Sequence, residues 1–206
     1  TCGVDKTCVE IIPYGCNFKI KKKEKFNVER RVRFIYVGQV TYRKGVHHLL
    51  EAFSNIDVDG FSLDIVGEIL PNSKLYNQYK KHSNIKFWGN VSHSKVEELL
   101  NLSDIFVFPS LADSFSLAVL EAMSCGLPVI CSKNAGACDL IIKENCGEII
   151  NPYDKKELEN KLICLAFDIE RRELYSHNAT NGAKKYSWNY YNLNITKFLR
   201  MIASDV

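Results

Sequence analysis

The sequence predicts an α/β fold built on a doubly wound, mostly parallel, six-stranded Rossmann-like sheet. Short uninterrupted apolar runs alternate with segments whose apolar residues recur at helical spacing, which is typical of a parallel sheet covered by helices. Most of the runs end at a glycine or a proline. The chain has 206 residues, 46% hydrophobic and 25% charged, and is therefore long enough for one domain with a substantial core.

The first three strands are predicted at residues 34–37, 61–66 and 85–88, and each is followed by a glycine (Gly38, Gly67, Gly89). A helix is expected after the first strand from about residue 44, because Val46, Leu49, Leu50 and Phe53 lie at spacings of three and four. The second helix is predicted to open at Pro71, whose missing N–H costs nothing in a first turn.

The same alternation continues in the second half of the chain. Ser92 or Ser94 can cap a helix that runs to residue 102, and Ser94 has Glu97 three residues on, as in a capping box. Strands at 105–108 and 128–131 flank a helix over about 115–125. Asp154 with Glu157 signals another helix start. The last segment places large apolar residues at helical spacing: Trp188, Tyr191, Ile195, Phe198 and Ile202.

Positive charge is concentrated in one stretch, which carries eight lysines and arginines and two glutamates between residues 19 and 33. The net charge of the chain is +3, so the remainder is net negative and offers no broad basic face. Nucleic acid is therefore not expected as a partner. The stretch is either a solvated lead-in to the first strand or a surface attracted to anionic membrane or to a phosphate-bearing substrate.

Eight cysteines occur without a Cys-x-x-Cys pair, and several have apolar neighbours, as Cys131 does. They are predicted to be reduced core thiols rather than a disulfide framework or a zinc site. That chemistry indicates a cytoplasmic protein, and the basic stretch suggests peripheral contact with the inner face of the membrane as an alternative. No apolar run approaches the ~20 residues that a membrane helix needs.

Three features converge on the carboxyl edge of the predicted sheet, where doubly wound sheets bind ligands. Arg43 and Lys44 follow the first strand, and a lysine at a helix start opposes the helix dipole, so we expect either a compensating anion or a solvated charge. Residues 113–117 open a helix after a buried strand, which offers free N–H groups to an anion unless Asp113 or Ser114 simply caps it. Glu121 lies in an apolar helix, so it either reaches solvent or has a specific partner.

Two common nucleotide-binding patterns are absent from the sequence. No Gly-x-Gly-x-x-Gly follows the first strand, and no Gly-x-x-x-x-Gly-Lys-Ser/Thr loop occurs anywhere. Ordinary NAD binding and P-loop chemistry are therefore disfavoured.

A series of ordered motifs covers most of the chain: Val9-Glu10-Ile11-Ile12-Pro13-Tyr14-Gly15, Tyr36-Val37-Gly38, Arg43-Lys44-Gly45, Ile65-Val66-Gly67, Phe87-Trp88-Gly89-Asn90-Val91, Phe108-Pro109-Ser110, Asp113-Ser114-Phe115-Ser116-Leu117, Glu121-Ala122-Met123 and Gly126-Leu127-Pro128-Val129-Ile130, with Gly136 and Gly147 behind them. In these motifs the chain resembles the donor-binding, C-terminal half of family 4 (group 1) glycosyltransferases, which have the GT-B fold.

The resemblance implies a retaining glycosyltransferase that uses a UDP- or GDP-sugar as co-substrate, needs no metal or other cofactor, and acts on a glycan or lipid-linked acceptor in polysaccharide, lipopolysaccharide or capsule biosynthesis. It assigns catalytic roles to Lys44 on the diphosphate, Asp113 facing the donor sugar and Glu121 on the ribose hydroxyls. The other implied donor contacts are Gly38, Gln39 and Arg43 after the first strand, Asn90 and Val91 beside the nucleobase, and Ser114, Phe115, Ser116 and Leu117 at the helix start.

The resemblance further implies that residues 1–206 form a donor domain, in which 1–30 are an interdomain lead-in and 188–206 a helix that crosses to an N-terminal domain absent from this chain. The isolated domain is then expected to bind nucleotide without transferring sugar. Three positions depart from the family pattern: Gln39 replaces an arginine, Asp113 the first glutamate of a Glu-x7-Glu pair, and Ser116 a glycine. A non-catalytic partner subunit is therefore one alternative, and a nucleotide-sugar epimerase or dehydrogenase of related fold is another.

Overall fold

The computed structural model of the chain describes residues 9–16, 31–56 and 60–204. Six parallel strands form one sheet in the order β3-β2-β1-β4-β5-β6. The strands are β1 (Val32–Val37), β2 (Phe61–Val66), β3 (Ile85–Gly89), β4 (Ile105–Phe108), β5 (Val129–Ser132) and β6 (Gly147–Ile150). The helices are α1 (Val46–Asn55), α2 (Lys74–Tyr79), α3 (His93–Leu102), α4 (Leu117–Ser124), α5 (Cys138–Glu144), α6 (Lys155–Phe167), α7 (Ile169–Ala183) and α8 (Trp188–Ser204). The doubly wound fold is confirmed.

The strand order places the switch point of the sheet between β1 and β4. The chain builds outward from β1 to β3 and then returns to pair β4 with the other side of β1, where Phe34 is opposite Ile105. At such a switch point the loops that follow the two central strands diverge and leave a crevice at the carboxyl edge of the sheet. The loops 38–45 and 109–116 therefore border the candidate site.

The central strands are apolar throughout because both of their faces are covered. Phe34, Ile35 and Tyr36 of β1 have no exposed surface, and all four residues of β4 are buried. The Tyr36 and Phe108 rings are nearly parallel, with their centroids 6.3 Å apart. This packing fixes the ends of β1 and β4 relative to each other, and those ends carry the loops of the site.

The predicted starts of the first two helices differ from the structure. The first helix begins at Val46 rather than near residue 44, because Gly45 in front of it is left-handed, with φ 68°. The second helix begins at Lys74, where the Ser73 side chain caps it, and Pro71 lies in the preceding turn. Of the two caps predicted for the third helix, Ser92 is the one present, and its side chain accepts a hydrogen bond from the Lys95 N–H.

The C-terminal part of the fold agrees with the sequence pattern. Asp154 caps α6 by accepting from the Glu157 N–H, and Leu158, Leu162 and Leu165 are buried, as predicted. In α8 the predicted apolar face is half-buried, except that Ile202 is 46% exposed.

The segment 9–16 lies against the start of α8. Cys16 forms an isolated bridge with Ser187, and the Tyr14 ring contacts the rings of Phe115, Trp188 and Tyr191 at centroid distances of 5.6–6.2 Å. Since Phe115 belongs to the loop before α4, this aromatic cluster connects the terminal helix to the candidate site.

None of the described cysteines is in a disulfide: Cys16, Cys125, Cys131, Cys138, Cys146 and Cys164. Burial raises the pKa of the Cys146 thiol to about 12, so this side chain behaves as an inert apolar group. Cys2 and Cys8 lie outside the described residues, as does most of the basic stretch 19–33. Within the described ranges, no helix is long and apolar enough to cross a membrane.

Candidate functional site

Lys44 and Asp113 meet at the switch point. They come from the loops after β1 and β4, and their side chains form an ion pair between Lys44 Nζ and Asp113 Oδ2. The two side chains are only 17% and 8% exposed, respectively. Of the two alternatives predicted for Lys44, a compensating anion and a solvated charge, the structure shows the first, and the anion is the carboxylate of Asp113.

A close backbone approach at Gly45 makes this pairing possible. A Cβ atom at residue 45 would lie 1.9 Å from the Pro109 carbonyl oxygen, and the left-handed φ of 68° also favours glycine. The neighbouring Leu111 N–H donates to the Arg43 carbonyl at 3.0 Å. The first loop therefore lies directly against the end of β4, which brings the Lys44 ammonium over Asp113.

Asp113 is held at both ends of its side chain and along its backbone. Its second carboxylate oxygen, Oδ1, accepts from the Phe115 N–H at 3.2 Å, and its carbonyl accepts from the Gly136 N–H at 2.9 Å. The loop 133–136 after β5 thus borders the site together with the loops after β1 and β4. Within it, Asn134 Nδ2 donates to the Leu111 carbonyl. Asn134 and Gly136 were not predicted as site residues.

The start of α4 lies immediately beyond Asp113. The helix begins at Leu117, two residues later than predicted, and neither Asp113 nor Ser114 caps it. Ser116 occupies the N-cap position with φ 66° and ψ 97°, and its hydroxyl makes no capping hydrogen bond. Since the first N–H groups of a helix have no intrahelical acceptor, this end of α4 can receive an anion.

Glu121 has a specific partner rather than free exposure. Its side chain is 21% exposed, and Oε1 lies 3.5 Å from Nε2 of His93, the first residue of α3. Burial raises the pKa of Glu121 above its usual range. His93 opposes that rise, both through its charge and through its hydrogen bond to the carboxylate. His93 was missed in the sequence because a histidine at a helix start carries no distinctive pattern.

Gln39 and Arg43 are both committed to contacts with the chain. Gln39 Nε2 donates to Glu68 Oε2 at 3.0 Å, and Arg43 Nη1 donates to the Ala112 carbonyl at 3.3 Å.

Tyr36, the last aromatic residue of β1, also bonds the loop that follows. Burial and, to a lesser extent, the charge of Asp113 raise the pKa of Tyr36 well above its usual range. Its neutral hydroxyl donates to the Gln39 carbonyl at 2.9 Å. Glu68, like His93, was not predicted.

The remaining predicted residues lie at the same edge. Gly38 directly follows β1, and its N–H donates to the carbonyl of Val66, the last residue of β2. The N–H of Gly67, after β2, donates to the carbonyl of Gly89, the last residue of β3, so these bonds align the ends of the three strands. Asn90 is exposed and Val91 half-buried in the loop that follows, just before His93. Ser114, Phe115, Ser116 and Leu117 lead into α4. In the part of the chain that the structure describes, no group of three or more His, Cys, Asp or Glu side chains could hold a metal ion.

Known proteins with similar sequences include several named as glycosyltransferases. The chain is 27% identical over 156 residues to an uncharacterized glycosyltransferase of Methanocaldococcus jannaschii. The matched region covers 75% of this chain and 44% of that protein. It is 34% identical over 105 residues to the sulfoquinovosyl transferase of Arabidopsis thaliana, covering 50% and 21%, respectively. The chain thus spans less than half the length of these curated relatives.

Solved structures with the same fold include two at a TM-score of 0.79. Sucrose-phosphate synthase from Thermosynechococcus elongatus is 22% identical, and the match covers 96% of this chain and 53% of that one. HepE from Anabaena, crystallised with UDP and glucose, is 20% identical, with 97% and 59% covered. The six-stranded sheet matches one part of these longer GT-B chains. The sequence profile of the family "Glycosyl transferases group 1" matches residues 17–182, and the chain belongs to that family.

Proposed function

We propose that this chain is the donor-binding domain of a retaining glycosyltransferase that takes a UDP- or GDP-sugar and transfers the sugar to a glycan or lipid-linked acceptor. The observation that carries the proposal is the partly buried Lys44–Asp113 pair at the switch point, beside the start of α4. Family membership and the UDP bound to the similar HepE fold support a nucleoside diphosphate as the ligand.

Lys44 would stabilise the diphosphate. In the structure its ammonium is neutralised by Asp113, and a bound diphosphate would share that charge together with the N–H groups at the start of α4. A charge-assisted hydrogen bond contributes about 1.5–3 kcal/mol, and only the part gained as negative charge grows on the leaving group accelerates transfer. The chain's own groups would suffice for this, and we propose that no metal is needed.

Asp113 and Glu121 would have different tasks, as their different surroundings suggest. Asp113 is bonded to Lys44 and to the Phe115 N–H, so its carboxylate is held rigidly where we place the donor sugar. Glu121 lies one helix turn into α4 and faces α3, where it would accept hydrogen bonds from the ribose hydroxyls. The loop with Asn90 and Val91 would then pack against the nucleobase.

The acceptor and the rest of the enzyme lie beyond this chain in the proposal. We propose an N-terminal domain that binds the acceptor and closes over the donor, with residues 1–30 as the link and α8 as the helix that crosses to it. A role in lipopolysaccharide or capsule biosynthesis at the inner face of the membrane is the setting that this acceptor class suggests.

One observation favours a second function, that of a non-catalytic partner subunit. The family's arginine after the first glycine is Gln39 here, and its amide is bonded to Glu68, so it supplies no charge to a diphosphate. Such a subunit would bind nucleotide weakly or not at all. An epimerase is disfavoured by membership of the glycosyltransferase family.

Nucleotide binding tests the proposal. Thermal-shift screening against UDP-, GDP-, ADP- and TDP-sugars identifies the base, because a ligand that binds the folded state raises its melting temperature. With the best nucleoside diphosphate, Lys44→Ala and Glu121→Ala are each expected to weaken binding about tenfold or more by calorimetry. Lys143→Ala, which removes an exposed lysine of α5, is the matched control and should leave affinity unchanged. Equal affinity in all variants would reject the assigned pocket.

A further inference from the structure

We propose that His93 is a positioning residue for the donor site: it holds the Glu121 carboxylate toward the ribose hydroxyls and links that carboxylate to the nucleobase loop. The inference rests on the proposed function and adds a residue to it. It is carried by the contact between His93 Nε2 and Glu121 Oε1 at 3.5 Å, across two helices that follow different strands.

The place of His93 in the chain explains why it can do this. It is the first residue of α3, directly after the Ser92 cap, and only two residues after the Asn90–Val91 loop. The Ser92 side chain bonds the Lys95 N–H at 3.3 Å, which fixes the start of the helix. The imidazole therefore projects from a defined point beside the proposed base-binding loop toward the side of α4.

Glu121 needs such a partner. It is an acid in a helix whose other residues from Val119 to Met123 are buried, and its own side chain is largely removed from solvent. A carboxylate with little solvent around it is costly unless a donor satisfies it. Contact with a histidine meets that need at one oxygen, Oε1, while a carboxylate has about four acceptor sites in all. The remaining sites can accept from a ribose.

His93 is much more exposed than Glu121, so His93 can be replaced without disturbing the core. The His93 side chain is 69% exposed, whereas the Glu121 side chain is 21% exposed. Removing the imidazole therefore creates no cavity in the core. Its loss should change the orientation and charge of Glu121 more than it changes the stability of the fold.

Calorimetry on the 206-residue chain with two probes tests the role. The probes are UDP, or whichever of UDP, GDP, ADP and TDP binds best, and the 2′,3′-dideoxy form of the same nucleotide. His93→Ala is expected to weaken binding of the ribose nucleotide about tenfold and to leave binding of the dideoxy nucleotide unchanged. His93→Gln, whose amide can still donate to Glu121, should recover most of the loss. His177→Ala, at an exposed histidine of α7, is the control and should bind both probes as the wild type does.

The outcomes separate the two proposals. Equal weakening of both probes by His93→Ala, or unchanged binding of both, overturns the positioning role while leaving the proposed function intact. Failure of the wild-type chain to bind any of the four nucleotides overturns the proposed function and this role with it. Thermal unfolding of each variant, expected within a few degrees of the wild type, shows whether the fold is retained.

Discussion

Ser116 is the residue whose conformation least suits its type. Its φ of 66° lies in the left-handed half of backbone space, where a side chain clashes and glycine does not. Its hydroxyl makes no capping hydrogen bond to α4, so no such bond offsets the free-energy cost of the strain. The resemblance to a family that usually has glycine at this position agrees with that geometry.

Replacement of Ser116 by glycine is expected to stabilise the chain by about 1 kcal/mol. Relief of strain contributes about 1–3 kcal/mol, and the greater freedom of glycine in the unfolded chain offsets roughly 0.5–1 kcal/mol of it. Urea unfolding at neutral pH measures the difference. Ser116→Ala keeps the strained φ and should not stabilise, so a gain in the alanine variant equal to that in the glycine variant would contradict the explanation.

At the scale of single elements, α1 carries an acid-sensitive pair of histidines. The rings of His47 and His48 lie with their centroids 3.9 Å apart, and the Nδ1 atoms of both are buried without a hydrogen-bond partner. Burial, with the neighbouring charge of His48, lowers the pKa of His47 to about 4, and burial also lowers the pKa of His48. Glu51 partly opposes both shifts, and Lys155 reinforces them.

This pair predicts loss of stability in mild acid. The pKa of His47 in the folded state is below the ordinary 6.5, so the unfolded chain binds more protons between about pH 6.5 and 4, and the free energy of unfolding falls as the pH falls through that range. His47→Leu should reduce this fall, as measured by urea unfolding at about pH 7 and about pH 5. His177→Leu is the control, since that histidine is exposed; a pH dependence unchanged in His47→Leu would refute the assignment.

Strands were easier to predict than helix starts, for a physical reason. A buried parallel strand is a short apolar run, and the runs at 61–66 and 105–108 coincide with β2 and β4. Helix starts depend on which of several adjacent polar residues adopts the capping geometry. Ser92 and Ser94 are both plausible caps in the sequence, and only backbone geometry selects Ser92. At α1 the left-handed Gly45, required by contact with Pro109, delays the helix.

For the whole molecule, the sequence predicted at which edge of the sheet the candidate residues lie but not the contacts among them. Lys44 and Asp113 are 69 residues apart, and their pairing depends on the strand order, which places β4 beside β1. The His93–Glu121 and Gln39–Glu68 contacts likewise join residues from separate loops. Residue type and spacing along the chain identify groups suited to bind a diphosphate; which of them meet is decided by the topology.

The proposed division of labour between two domains predicts that this chain binds a nucleotide-sugar but does not turn it over. The chain contains all three groups assigned to the donor: Lys44, Asp113 and Glu121. Acceptor binding and closure over the donor are assigned to the proposed N-terminal domain. Incubation of the chain with the nucleotide-sugar that stabilises it should therefore release no nucleoside diphosphate above the level of a Lys44→Ala control.

A longer chain that includes the proposed domain should release nucleoside diphosphate when acceptor is present. Lys44→Ala in that longer chain should lower the rate at least tenfold, since the ammonium would stabilise charge that develops on the leaving group. Turnover by the 206-residue chain at the rate of the longer one would show that the donor domain is catalytically complete and would refute the division.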